Sequence, residues 1–177
     1  MQRLFVAIRP PAPIRARLLA VMGGISGARW QRDDQLHLTL RFIGEVDRHR
    51  ARDIDAALAA IHWQPFEIAL SGIGAFDRRG RPDAVWAGVT PRSELARLHQ
   101  KIDQALVRCG LAPEGRAYMP HVTLARLNRS AGPIGHLLDA ASRLASPPFA
   151  VESFGLFESA LTPDGAVYAE IASYPLG

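Results

Sequence analysis

Two short phrases of this chain could do acid–base chemistry together. His37-Leu38-Thr39-Leu40 comes first, and His121-Val122-Thr123-Leu124 follows 84 positions later (121 − 37). Each alternates polar and apolar residues, the period-two pattern of a half-buried β-strand. His and Thr therefore share one face, and the aliphatic residues share the other. With a side-chain pKa of about 6.5, one imidazole can act as a neutral base while another donates a proton. Two hydroxyls suit the non-bridging oxygens of a phosphate, where charge must be stabilised. The four side chains fit phosphoryl chemistry without a metal, on a diester with a sugar hydroxyl as leaving group. A strained 2′,3′-cyclic phosphate is the best match.

Rival chemistries are poorly supplied. Zinc needs three or four ligands, and a His-x-Thr strand offers one. Neither motif has a second His, Cys, Asp or Glu at ligand spacing, so no metal and no cofactor are expected. A G-x-S-x-G nucleophile elbow is absent, and each threonine lies beside its own histidine as a donor rather than a nucleophile. The chain has six histidines. His49, His62, His99 and His136 lack a repeated context and are expected to be surface or structural; only His37 and His121 occupy equivalent places.

Periodicity and turn residues outline the elements that must hold these groups. Strands are expected at residues 4–8, 37–43, 66–70, 84–89, 121–127, 149–157 and 166–172. Helices are expected at 14–22, 48–61 (capped by Asp47), 93–108 and 134–144. Gly44 is expected to close the first motif strand. Residues 77–82 read as a polar loop, in which Arg78, Arg79 and Arg81 are either a patch for a nucleic-acid backbone or a solvated turn.

Set side by side, the halves repeat: strand, helix, HxTL strand, helix, strand. The third strands also match, Phe66-x-Ile68-x-x-x-Gly72-Ile73 against Phe149-x-Val151-x-x-x-Gly155-Leu156, at an offset of 83 (149 − 66). Agreement of two landmarks within one residue points to internal duplication. The expected fold is a single α+β domain, residues 1–177, a two-lobed duplication of a βαβαβ unit. Its pseudo-symmetric halves are roughly 1–80 and 81–177, with antiparallel sheets lining a central cleft and helices outside. A pseudo-two-fold axis would bring the two motifs together.

Composition sets the remaining bounds. At 177 residues with 48% apolar and 21% charged residues, the chain is long enough to bury a core without staples. Its single cysteine, Cys109, excludes an internal disulfide, suits a reducing compartment and reads as an inert, partly buried thiol. No apolar run approaches the roughly 18 to 20 residues of a membrane span, so a cytoplasmic protein without membrane contact is expected. The net charge is +4 and Lys101 is the sole lysine. Arginine's fork suits phosphate, although a GC-rich coding sequence produces the same bias.

The paired motifs resemble the 2H phosphoesterase superfamily. Arg3-Leu4-Phe5-Val6-Ala7-Ile8, His37 to Glu45, the Arg79-Gly80-Arg81-Pro82 loop with Val85-Trp86-Ala87-Gly88, and Pro120 to Arg126 are similar to RNA 2′,3′-cyclic phosphodiesterases, also called 2′-5′ RNA ligases. The resemblance implies metal-independent hydrolysis of an RNA terminal 2′,3′-cyclic phosphate to a 2′-phosphomonoester, with reverse 2′-5′ ligation. It implies His37 as proton donor to O3′, His121 as proton acceptor from water, and Thr39 and Thr123 as phosphate ligands. Arg41 and Arg126 are candidate substrate contacts: Arg41 shares the parity of His37, whereas Arg126 needs a bulge to reach the cleft. Trp30, Phe42 and Tyr118 are candidate base-stacking residues. The implied partners are RNA 3′-ends or small cyclic nucleotides, acted on by a monomer. The alternatives are an esterase confined to small cyclic nucleotides and a non-catalytic RNA-end-binding module.

Overall fold

The computed structural model describes residues 1–140 and 143–177. Nine strands are formed: β1 Gln2–Ile8, β2 Arg29–Trp30, β3 Leu38–Val46, β4 Phe66–Arg78, β5 Arg81–Thr90, β6 His121–Arg126, β7 Phe149–Val151, β8 Ser153–Thr162 and β9 Gly165–Pro175. The helices are α1 Ala12–Ala20, α2 Arg48–Ala59, α3 Ser93–Arg108 and α4 Gly135–Asp139. Asp47 caps α2, its carboxylate accepting the Arg50 amide at 2.7 Å. The α3 helix buries Leu95, Leu98, Ile102 and Leu106, the stripe its spacing predicts. No helix is long and apolar enough to cross a membrane.

All strand pairings are antiparallel, in the order β7-β4-β5-β6-β3-β1-β8-β9, with β2 on β6. The two motif strands meet in the middle through one pair, Leu38 with Val122. These are the very residues that the duplication makes equivalent. The third strands also meet, Glu67 opposite Ala150 with Phe66 opposite Val151. The pseudo-two-fold axis therefore passes through both junctions. Since only Glu152 separates β7 from β8, the sheet returns on itself. Its helix-covered face carries the main core, including Leu38, Leu40, Ile54, Leu98, Val122 and Leu124.

The lobes differ from the sequence halves. β4, from the first half, pairs with β5 of the second, and β8, from the second, pairs with β1 of the first. Each half thus gives its third strand to the other half's sheet. Periodicity along a strand carries no information about which neighbour it will take, so this exchange was invisible in the sequence. The polar stretch 77–82 is also different: strand pairing runs through it, and only Arg79-Gly80 forms the turn between β4 and β5. Gly44, at φ 89°, sits at a register shift and does not end β3, which continues to Val46. The expected helix 134–144 is described only over Gly135–Asp139; residues 141 and 142 lie outside the described residues.

A second register feature decides where side chains point. On β3, Ala7 faces Thr39 but Val6 faces Arg41, leaving Leu40 as an extra residue. On β6, Trp86 faces Thr123 but Val85 faces Ala125, leaving Leu124 extra. Both motifs therefore carry a β-bulge at the same place, which reverses the alternation beyond it. Arg41 is turned away from the histidine face, contrary to its strand parity. It is 7% exposed, and its Nε donates to Asp103 on α3 at 2.7 Å. A second nitrogen donates to the Ala112 carbonyl at 2.6 Å.

Burial would raise the Asp103 carboxyl, but the Arg41 hydrogen bond and charge, together with the Glu114 amide, outweigh it and hold the pKa low. Asp103→Ala would strand a buried guanidinium. The expected loss is about 3–5 kcal/mol, read by urea denaturation, with the protein that remains folded keeping its catalytic constants. A loss of catalysis without loss of stability would instead return Arg41 to the cleft.

Candidate active site

The motif strands present their histidines in matching ways. The His37 Nδ1–H donates to the Gln35 carbonyl at 2.7 Å, and the His121 Nδ1–H donates to the Met119 carbonyl at 2.8 Å. In each case the acceptor lies two residues upstream. A carbonyl can only accept, so the proton is held on Nδ1 and Nε2 is left to act on a ligand. Gln35 closes a single 3₁₀ turn, Asp33–Gln35, and its side chain is anchored to the Arg32 amide at 3.0 Å and the Ala166 carbonyl at 2.8 Å. Thr39 and Thr123 follow on the same face, both partly exposed.

The bulges free backbone carbonyls, and the structure satisfies them differently in the two strands. On β3, the Tyr118 hydroxyl donates to the Thr39 carbonyl at 3.0 Å, and the His99 Nδ1–H to the Leu40 carbonyl at 2.6 Å. The Tyr118 and His99 rings stack at 4.1 Å, 4° from parallel. On β6, the Gln31 amide donates to the Leu124 carbonyl at 2.8 Å. The short strand β2, not expected from the sequence, continues that attachment. His99 is thus structural, as expected, and Tyr118 braces the back of the motif strand.

Aromatic walls surround both imidazoles. Phe5 and Tyr168 lie 4.9 and 5.1 Å from His37, centroid to centroid, and Phe76 lies 4.9 Å from His121, edge-on at 87°. Trp86 stands 6.2 Å from His121 and lies across Gly74, where a Cβ would come within 2.3 Å of the indole. Its Nε1–H is buried without a partner among the described residues. Phe42 is 60% exposed and 6.1 Å from Phe5, so the bulge has put it on the histidine face. Trp30 packs against the core. Phe5, Phe76, Trp86 and Tyr168 were not singled out from sequence; projecting the duplication onto the strands flanking each motif would have found the first three.

Arg126 is the duplicate of Phe42, and the Leu124 bulge turns it to the same face. It is exposed, and its charge acts on both imidazoles. Burial lowers the His37 pKa from 6.5 to about 4; the Gln35 carbonyl opposes this, and the charges of His121 and Arg126 add to it. Burial also lowers that of His121, again opposed by a carbonyl (Met119) and aided by Arg126. Both rings are therefore neutral at pH 7 in the free protein. An anion among them would favour the imidazolium, so proton uptake is linked to anion binding. An open hollow of about 310 Å³ adjoins His37, lined by Arg9, Asp34, Leu36, Phe157, Tyr168 and Glu170. Among the described residues, no three His, Cys, Asp or Glu side chains cluster as a metal site would require.

Comparison with known proteins agrees with this geometry. The family profile of the 2′-5′ RNA ligase superfamily matches residues 10–163. An RNA 2′,3′-cyclic phosphodiesterase of Archaeoglobus fulgidus is 32% identical over 172 residues, 96% of this chain and 97% of its own. One from Aeropyrum pernix is 39% identical over 139 residues, 77% and 79% of the two chains. Among solved structures, Escherichia coli LigT in its apo form superposes with a TM-score of 0.80 at 27% identity, covering 99% of this chain and 97% of that one. LigT complexed with 3′-AMP gives 0.78 at 27% identity, covering 99% and 98%. With the profile spanning both HxT strands and relatives matching end to end, the chain belongs to the 2′-5′ RNA ligase superfamily.

Proposed function

We propose that this protein hydrolyses RNA terminal 2′,3′-cyclic phosphates to 2′-phosphomonoesters, without a metal, by a two-histidine acid–base mechanism. The observation that carries this is the pair of equivalent, bulged strands, each holding a histidine by Nδ1 so that Nε2 serves the cleft. The names of the relatives support the substrate class. In the mechanism, His121 Nε2 takes a proton from water as the oxygen attacks phosphorus. The P–O3′ bond breaks, and His37 Nε2–H delivers a proton to the departing O3′. Thr39 and Thr123 donate to the non-bridging oxygens, and Arg126 faces the same charge.

The roles of donor and acceptor follow the family resemblance, because pseudo-symmetry makes the two rings alike. Run backwards, the same steps join a 2′-phosphate-derived cyclic end to a 5′-hydroxyl, the ligation for which the family is named. The unpaired Cys109 fits a cytoplasmic setting, and the internal duplication already supplies both halves of the cleft, which fits a monomer.

Turnover of an oligoribonucleotide 2′,3′-cyclic phosphate should persist in EDTA. It should fall by roughly 10²-fold or more in either His37→Ala or His121→Ala, because alanine can neither give nor accept the proton. Product chromatography should show the 2′-phosphate. Binding without product would identify the protein as an RNA-end-binding module, and turnover of mononucleotides alone as a small-nucleotide esterase.

The pH dependence has a definite sign. Since both imidazoles have pKa values lowered from 6.5, kcat/KM should peak below pH 6.5. It should fall on the alkaline side as imidazolium is lost, and on the acid side as the base becomes protonated. Arg126→Gln removes a positive charge that disfavours both imidazoliums. Its profile should move to higher pH, whatever its effect on rate; an unmoved profile would show that Arg126 does not act on the pair.

A further inference from the structure

The cleft leaves one strongly charged feature unused, the tip of the β4–β5 hairpin. Arg78 and Arg81 are directly opposed across the ladder, with Arg79 and Gly80 forming the turn between them. All three arginines are exposed. Like charges placed directly opposite each other destabilise a hairpin. Arg79 also has φ 53° and Gly80 φ 77°, a two-residue turn for which Asn-Gly or Gly-Gly is the low-strain choice. None of the three forms an ion pair among the described residues, although Asp77 and Asp83 are near in sequence. Repulsion and backbone strain at one tip, with no internal compensation, are the mark of a site shaped for an outside anion.

Its position says which anion. Gly74, Phe76 and Arg78 share one face of β4, and the extra residue of the adjacent register shift, Asp83, lies on β5. The alternation therefore runs unbroken from Phe76, whose ring is 4.9 Å from His121, to Arg78. Two strand residues span about 7 Å, so the guanidinium stands one short step from the catalytic face. The opposite hairpin, β8–β9, carries no arginine. It exposes Leu161 and Val167, and Arg32 holds its turn through the Asp164 and Ala166 carbonyls. The positive field thus extends from one side of the cleft only.

We propose that Arg78, Arg79 and Arg81 form a second phosphate subsite, which takes the phosphodiester on the 5′ side of the terminal nucleoside. The preferred substrate is then an oligoribonucleotide end rather than a free nucleoside cyclic phosphate. This rests on the cyclic-phosphate reading of the cleft. Arginine forks suit phosphodiester oxygens, and an exposed site of this kind works through charge-assisted bonds and counterion release.

The test compares a nucleoside 2′,3′-cyclic monophosphate with an oligoribonucleotide ending in the same group. It uses wild type and the triple variant Arg78→Gln, Arg79→Asn, Arg81→Gln; asparagine tolerates the left-handed turn. Wild type should favour the oligonucleotide in kcat/KM by roughly tenfold or more at low salt, the worth of one charge-assisted hydrogen bond. The variant should lose that preference, leave the mononucleotide constant in place and melt no lower than wild type. Its salt dependence on the oligonucleotide should be shallower, by about 0.7 in log–log slope for each phosphate released. A wild type indifferent to length, or equal losses on both substrates, overturns the subsite. Anisotropy with a 3′-phosphorylated oligoribonucleotide separates the two readings. If neither protein turned over either substrate, the catalytic reading would fail; weaker binding by the variant would still support the hairpin site, and equal binding would overturn it.

Discussion

The structure depends on one strand pairing, Leu38 opposite Val122. It joins two duplicated strands at equivalent residues and so puts the pseudo-two-fold axis between the motifs. Everything that makes the cleft follows from that register. A slip of one residue would turn each histidine towards the aliphatic core and each leucine towards solvent. The core resists the slip, because Leu38, Leu40, Val122 and Leu124 are all almost wholly buried beneath the helices. The second junction, between β4 and β7, holds the other end of the axis, and the exchanged third strands tie the lobes together.

The paired bulges convert this symmetry into a site. A regular strand would show His, Thr and Arg41 on one face of β3 and keep Arg126 off that face of β6. With Leu40 and Leu124 inserted, the faces beyond the motifs change over. Arg41 goes to the helix side, where Asp103 receives it, and Arg126 comes to the histidines. The carbonyls released by the bulges are expensive to leave unpaired. Tyr118, His99 and Gln31 meet that need from three separate parts of the chain.

Duplication did not leave the two sides identical. Ala7 and Trp86 are partners of Thr39 and Thr123. The small residue leaves the His37 side open to a hollow, whereas the indole closes the His121 side. Phe42 and Arg126 are likewise equivalent in position and opposite in character. An acid–base pair needs two rings in different protonation states, and such unequal surroundings bias them.

The sequence by itself determined the strands and helices, the duplication, and the His37, Thr39, His121 and Thr123 constellation. All are carried by local periodicity and by repeats at a constant offset. The α3 helix matches its expected bounds, because a full stripe of leucine and isoleucine leaves little choice. Tertiary structure alone decided the exchange of third strands, the β2 attachment and the direction of each arginine. Strand exchange depends on which edge is free when the halves pack. Bulges depend on mismatch between neighbouring strands, and nothing in Thr39-Leu40-Arg41 announces one. The side a guanidinium takes follows from where a carboxylate waits, and Asp103 is 62 residues away in the chain.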